Sequence, residues 1–398
     1  MSIAFSTATI PVGLAWSSPF TRWQGPLADM SALDLGADVT SRALEQRGFD
    51  PASIDRLVLG ITTPQVGGFY GAPTMAARIG APGVTGPMIA QACATSAACI
   101  EAAALHSESS PDTIDLVLTT DRTSNSPLVV YPSSSATGGE PGREHWFLDN
   151  IRRDPWAGRA MVETAELVAE QAGITRQEID DLTLLRYEQY RTALADDRSF
   201  QRRFMVAVEV PVRRESIEVE EDVGVHDTTA EGLAKLDPLI PGGVVTYGSQ
   251  THPADGTSGM VVTGRERARE LAEGRGIARI LGSGFARVGR SEMPKAPVPA
   301  AQTALDAAGI DMTQVDAVTT HNPFAVNDLW FSRETGFPLE RMNIRGSSLV
   351  YGHPHAPTGA RLVVELINTL VERGGGVGLF TGCAAGDTGA ALVLLVED

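Results

Sequence analysis

Three cysteines and two histidine-bearing turns hold the reactive groups of this 398-residue chain. Cys93 lies in Ile89-Ala90-Gln91-Ala92-Cys93-Ala94-Thr95-Ser96-Ala97-Ala98, where small residues surround the thiol as the chain enters a helix. Unpaired N–H groups and the helix dipole at such a tip favour the thiolate, the nucleophilic form. The competing reading is a cysteine packed inside an Ala-rich helix. Cys99, further along the same segment, cannot share the tip and reads as core. His353 sits in Tyr351-Gly352-His353-Pro354-His355-Ala356-Pro357-Thr358-Gly359-Ala360, where Gly and Pro force a turn before a helix begins. An imidazole held on a tight turn suits a general base or an oxyanion donor. His355, in the same turn, reads as a surface or structural histidine. His321 follows Val318-Thr319-Thr320 and precedes Asn322-Pro323-Phe324, at the C-terminal end of a predicted strand. In α/β folds that edge is where ligands meet the sheet. Cys383 follows the predicted strand Val377 to Phe380 within Thr381-Gly382-Cys383-Ala384-Ala385-Gly386-Asp387-Thr388-Gly389. Small residues there permit close backbone approach and offer N–H groups to an oxyanion. The G-x-G-x-x-G spacing of a dinucleotide site is absent.

The elements that must position these residues follow from periodicity. Ser31 to Arg47 carries small and apolar residues at helical spacing and stops at Gly48-Phe49-Asp50; Leu57-Val58-Leu59-Gly60 then reads as a buried strand. The same phrase returns later. Ala43-Leu44-Glu45, Gly48, Asp50 and Ile54-Asp55 match Ala304-Leu305-Asp306, Gly309, Asp311 and Val315-Asp316, ahead of Ala317-Val318. More loosely, a helix over 93–106 with a strand at Ile114 to Leu118 matches a helix over 357–373 with a strand at Val377 to Phe380. Two matches in one order point to a duplicated α/β unit, so residues from both halves can meet at a pseudo-twofold axis. Residues 122–158 are rich in Ser, Pro, Gly and Asp and carry Trp146, Phe147 and Trp156, an irregular excursion with apolar anchors. Met161 to Gln171 is periodic, and Thr175 with Glu178 signals a capped helix running towards Ala195. The charged stretch Arg213 to Asp222 reads as surface. An inserted lid and a plain connecting region are both compatible with this texture.

A net charge of -17 argues against a nucleic-acid partner and an anionic membrane, although Arg202, Arg203, Arg213 and Arg214 could locally hold a phosphate. No apolar run reaches the roughly 18 residues of a membrane span, and the start lacks a basic secretory leader. The odd cysteine count, without metal or redox spacing, predicts free thiols, no metal site and a cytoplasmic location.

In order along the chain, these motifs resemble those of the thiolase family. The stretch around Cys93 resembles its nucleophile block; His321-Asn322-Pro323-Phe324 resembles its Asn-Glu-x-Phe block; Gly352-His353-Pro354 matches its Gly-His-Pro; and Cys383-Ala384-Ala385-Gly386 resembles its Cys-x-Gly block. The resemblance implies a duplicated five-layer α-β-α-β-α fold with an inserted loop subdomain. The implied division is 1–121 and 241–276 for the N-terminal half, 122–240 for the insertion and 277–398 for the C-terminal half. It also implies that His353 activates Cys93 to form an acyl-enzyme and that Cys383 exchanges the α-proton. His353 and His321 would hold the enolate oxygen, and the backbone N–H groups of Cys93 and Ala385 the second oxyanion. Thiolysis of a 3-oxoacyl-CoA or the reverse Claisen condensation is the implied activity. Coenzyme A is then substrate and product, no cofactor is tightly bound, and the chain is a homodimer or dimer of dimers with room for a small partner protein. Two departures stand out. His321 replaces the usual asparagine and is closest to the His-Asp-x-Phe of sterol-carrier-type members, and Gly248-Ser249-Gln250-Thr251-His252 replaces Gly-Asn-Ala-Ser-Gly, so that Ser249, Thr251 and His252 are the candidate coenzyme A contacts in a changed mode. A ketoacyl-synthase-like enzyme acting on a carrier-bound thioester and a silent thiolase-fold binding protein are the alternatives. An apolar wall of Phe324, Val326, Trp146, Phe147 and Trp156 is expected to favour acyl groups larger than acetyl.

Overall fold

Strands buried at every position, such as Ala254–Val262, and nearly every position, such as Asp115–Arg122, must be covered on both faces. The computed structural model, which describes residues 2–133, 135, 137–213 and 215–398, supplies that cover. One sheet runs in the order Ala15–Ser17, Ala254–Val262, Asp115–Arg122, Arg56–Gly60, Met88–Ile89. The other runs Ser2–Ala4, Ile277–Arg287, Thr388–Glu397, Gly376–Ala384, Ala317–His321. In both, a short strand pairs parallel with a long one whose other neighbour is antiparallel. The helices repeat too. Ala32–Gln46 and Pro297–Ala308 precede the short strands, and Thr95–Ser109 and Ala356–Glu372 precede the long ones.

These helices fill the layers. Thr95–Ser109 and Ala356–Glu372 lie against each other and contact strands of both sheets. Ala32–Gln46 covers one outer face and Pro297–Ala308 the other, each with its own apolar cluster. The result is a five-layered α-β-α-β-α fold. The local rules explain its parts: Ser31 caps Ala32–Gln46 through a bond from the Asp34 N–H, and Thr175 with Glu178 closes the capping box of Arg176–Ala193. Close approach of the central helices depends on Gly359, where an added Cβ would stand 3.0 Å from Ser96. Among the described residues, no helix is long and apolar enough to cross a membrane.

A helix buried almost all round must neutralise any charge it carries. Ala356–Glu372 carries Arg361 and Glu365, both buried. Arg361 makes two bonds to Asp222, at 2.6 and 2.7 Å, and one to Glu365 at 3.0 Å, and its guanidinium lies over Tyr351 at 3.7 Å. The stretch 213–222 is mostly exposed, as expected, among its described residues, but Asp222 is an exception: its side chain is only 1 % exposed, because the pairing with Arg361 offsets its desolvation. Arg186, on Arg176–Ala193, reaches the C-terminal half in the same way, bonding Asp328 at 2.9 Å with both side chains fully buried. The basic cluster is dispersed. Arg202 pairs with Asp197 and Arg203 with Glu372, while Arg214 lies outside the described residues.

Removing one member of a buried pair strands the other charge, which costs about 3 to 5 kcal/mol. Asp222→Ala is expected to lower the unfolding free energy by that order in a denaturant titration. Combining Asp222→Ala with Arg361→Met and Glu365→Gln, which removes every charge of this buried cluster, should recover most of the loss.

Candidate active site

Cys93 stands just before the Thr95–Ser109 helix, on a turn in which Ala92 has φ +45°. Thr95 ties that turn down, its hydroxyl accepting from the Gln91 N–H at 2.8 Å and donating to the Ala92 carbonyl at 2.7 Å. From the other half, the turn at Gly352, with φ +96°, carries His353 to the thiol; an added Cβ there would lie 2.7 Å from His252. His353 Nε2 lies 3.0 Å from Cys93 Sγ, and its Nδ1 lies 2.6 Å from Thr358 Oγ1. A ring held at Nδ1 by a hydroxyl presents a fixed Nε2 to the sulfur. Ser96 also bonds the Ala356 carbonyl, closing the two helix tips on each other.

His321 ends the strand Ala317–His321 and is buried, its ring 4.0 Å from that of His353 and tilted by 30°. Its Nδ1 meets Ser348 Oγ at 2.9 Å, while Nε2 has no partner among the described residues. Behind it, Asp328 accepts from Thr320, Asn322, Asn343 and Arg186, so the turn after the strand rests on a satisfied polar web. Cys383, buried near the end of Gly376–Ala384, accepts from the Asn327 amide at 3.2 Å. The Ala385 and Cys93 backbone N–H groups both point to the Cys93 sulfur.

The groups open into one cavity of about 400 Å³ lined by Cys93, His353, His355, Cys383, Ala385 and Thr251, with Phe147, Met161, Val162, Leu239, Met293 and Phe324 as the main apolar wall. Burial dominates its electrostatics. It pushes the Cys93 thiol up to about 12 against the backbone N–H groups of Ala385 and Cys93. It lowers His321 to about 3, His355 to about 4, and His353 well below its ordinary value. Cys383 is raised, first by burial and then by Cys93. The directions of these shifts favour a neutral thiol and a neutral imidazole over a thiolate–imidazolium pair at rest. The ligand atoms of Cys93, His321 and His353 all lie within 4.8 Å of one another and could hold a metal ion. The 3.0 Å separation of sulfur and Nε2 is that of a hydrogen-bonded thiol–imidazole pair.

Cys93, His353 and Cys383, which sequence reasoning singled out, thus share the cavity, and His321 stacks behind His353. Thr251 also lines it, with its hydroxyl donated to the Ser348 carbonyl at 2.5 Å. Ser249 is buried against Thr246 and His252 packs under Gly352, both away from the lining. Of the expected aromatic wall, Phe147 and Phe324 face the cavity. Trp146 instead donates to the Thr62 carbonyl at 2.9 Å, Trp156 lies under Arg287 at 4.0 Å, and Val326 is in the core. His355 corrects the reading that set it aside, since it lines the cavity. Asp121 escaped notice: this buried carboxylate accepts from the Thr62 and Thr63 N–H groups, the Thr62 hydroxyl and the Ala356 N–H, joining the first sheet to the His353 turn. Its one sequence signal is an acid at the last but one position of the strand Asp115–Arg122.

Comparison with known proteins covers the whole architecture. Residues 12–266 match the thiolase N-terminal domain and 275–396 the thiolase C-terminal domain. The chain is 30% identical over 380 residues to an acetyl-CoA acetyltransferase of Pseudomonas aeruginosa, covering 94% of this chain and 95% of that one. It is 29% identical to a 3-ketoacyl-CoA thiolase of Photobacterium profundum, covering 96% and 95%. The crystal structure of the Bacillus anthracis acetyl-CoA acetyltransferase superposes with a TM-score of 0.90 at 27% identity, over 99% of both chains.

Below its pKa, the thiolate fraction rises about tenfold per pH unit. Alkylation of Cys93 by iodoacetamide, followed by peptide mass spectrometry, should therefore accelerate steadily between about pH 6 and 9. A rate already level across that range would reveal a preformed thiolate–imidazolium pair and overturn the neutral-pair assignment.

Proposed function

The chain belongs to the thiolase family, and we propose that Cys93, His353, His321 and Cys383 carry out its acyl transfer on coenzyme A thioesters. It is an acyltransferase of the thiolysis and condensation type. The observation that carries the residue roles is the 3.0 Å approach of His353 Nε2 to Cys93 Sγ in a cavity that also presents Cys383 and the Ala385 backbone.

In the condensing direction, Cys93 attacks the thioester carbonyl as its proton passes to His353 Nε2. The tetrahedral oxygen is held by the backbone N–H groups of Cys93 and Ala385. Collapse expels coenzyme A, which takes up the Cys383 proton and leaves an acyl-enzyme, a Cys383 thiolate and His353 still protonated at Nε2. The Cys383 thiolate then removes the α-proton of a second thioester, and the enolate oxygen is held by the Nε2–H groups of His321 and protonated His353. The unpartnered Nε2 of His321 supports that role, either directly or through a water. The enolate carbon attacks the acyl group and displaces Cys93, which recovers its proton from His353. Thiolysis is the reverse.

Further parts of the proposal rest on separate features. Thr251 is the coenzyme A contact favoured by its place on the cavity wall. The division into halves 1–121 with 241–276 and 277–398, around an inserted 122–240, follows the duplicated strand and helix order. A second copy of the chain is the proposed partner, supported by the edge strand Met88–Ile89 and the exposed Phe69, Tyr70 and Met88 nearby. The three free thiols support a reducing, cytoplasmic compartment. A second reading, condensation on a carrier-bound thioester, is favoured by the paired rings of His321 and His353 beside Cys93. Equal or faster turnover of carrier-bound thioesters over coenzyme A thioesters would select it.

Incubation with acetyl-CoA is expected to add one acetyl group to Cys93. Cys383→Ala should keep that adduct while solvent exchange of the α-protons falls by about a hundredfold; unchanged exchange would remove Cys383 from the mechanism.

Phe147, Phe324 and the aliphatic lining make an apolar pocket, in which each methylene is worth about 1 to 3 kcal/mol. For thiolysis of a 3-oxoacyl-CoA series, kcat/KM should peak above the acetoacetyl length. A maximum at acetoacetyl with a steep fall thereafter would overturn the preference for larger acyl groups.

A further inference from the structure

His355 is an imidazole on a largely apolar cavity wall, and none of the steps above uses it. One ring face lies 4.8 Å from His353 and Phe147 is 5.1 Å away, between centroids, so the ring is fixed within a short aromatic column. Its backbone has φ 57° and ψ −97°, a conformation that costs energy for any residue with a Cβ and that glycine would relieve. The flanking anchors hold it in that state, Asp121 binding the next N–H at 2.9 Å and Thr358 binding His353. Among the described residues, no protein group hydrogen-bonds either ring nitrogen.

We propose that His355 is a specificity-determining residue that hydrogen-bonds an oxygen function on the acyl chain of the preferred substrate. This deepens, and rests on, the reading of the cavity as the acyl site. A neutral imidazole offers one N–H donor and one lone pair, so a hydroxyl, a ketone or a carboxylate can satisfy it, whereas a saturated chain leaves both unmet. Burial, which lowers His355 to about 4, keeps the ring in that neutral form at physiological pH. Arg152, which lines the same cavity, gives a charged alternative for a chain ending in a carboxylate. The apolar wall grips the methylenes and His355 reads the polar group. Size and polarity of the acyl group are thus selected by different residues.

The test uses 3-oxoacyl thioesters of equal length bearing a terminal methyl, hydroxyl or carboxylate. The native enzyme should turn over at least one oxygen-bearing member with kcat/KM about tenfold or more above the alkyl member. His355→Phe, which keeps the ring stack, should bring the pair to parity while the alkyl rate stays within about threefold. His355→Asn, which tolerates positive φ and retains a polar group, should keep part of the preference and guards against misfolding of the first variant. An advantage confined to the carboxylate and lost in Arg152→Gln identifies an acidic chain; equal hydroxyl and carboxylate rates identify hydrogen bonding alone. No oxygen preference in the native enzyme, or one that survives in His355→Phe, overturns the proposal. Acetyl adduct formation on Cys93 separates the two readings: its absence in the native enzyme sinks the acyl-enzyme mechanism, whereas its presence in all variants without a polarity preference sinks only the role of His355.

Discussion

The contact between Cys93 and His353 is made across the duplication, and most of the architecture can be understood as what that contact requires. One residue precedes the Thr95–Ser109 helix and the other precedes Ala356–Glu372, so the two central helices must lie side by side with their N-terminal ends together. Gly359 against Ser96 lets them approach, and the Ser96 hydroxyl bound to the Ala356 carbonyl fixes the register of the two tips. Asp121 then fastens the same tip to the strand end of the first sheet with four accepted bonds. A displacement of about 1 Å at either tip would lengthen the sulfur–nitrogen contact beyond hydrogen-bond range. The site is consequently as rigid as the layer that carries it.

Burial of this kind carries a cost in charge, and the segment between the strands Asp115–Arg122 and Ala254–Val262 helps to meet it. Arg361 and Asp328 both belong to the C-terminal domain, yet their principal counter-charges, Asp222 and Arg186, come from that segment. Each pair lies beneath an active-site element: Arg361 one turn and more along the helix that follows His353, Asp328 below the turn that follows His321. Phe147, from the irregular part of the same segment, caps the column formed by His355 and His353. The segment between the strands Asp115–Arg122 and Ala254–Val262 is therefore both cover and counter-ion, and detaching it would unseat two charges as well as open the cavity.

How much of this was legible in the sequence depends on whether the cause was local. Helical period, the Thr175 cap and the glycine stops are local, and they located Ala32–Gln46, Arg176–Ala193 and the repeated helix and strand order. Small residues around a thiol and Gly-Pro turns around a histidine are local too, which is why Cys93 and His353 stood out. The burial of Asp222 and the cavity position of His355 were not legible because each depends on a partner elsewhere in the chain. An aspartate in a charged run looks solvated until Arg361 is seen above it, and a second histidine in a turn looks incidental until its ring is found against Phe147. The electrostatics of Cys93 have the same division of causes: helix-tip N–H groups that lower its pKa are local, but the desolvation that raises it is imposed by the surrounding layers.

That desolvation gives the site its logic. With Cys93 raised to about 12 and His353 lowered, proton transfer between them is unfavourable in the resting enzyme, so the nucleophile is not standing charged in a cavity that also admits solvent. Charge is created only as the sulfur attacks, and at that moment the oxyanion forms where the Ala385 and Cys93 N–H groups converge. The new imidazolium then lies between the rings of His321 and His355, both held neutral by burial. Neutral neighbours matter here, because a protonated histidine on either side would repel the proton that His353 must accept. The same burial that makes the thiol unreactive at rest thus keeps its base available, and it confines the reactive ion pair to the interval in which a substrate carbonyl is present to use it.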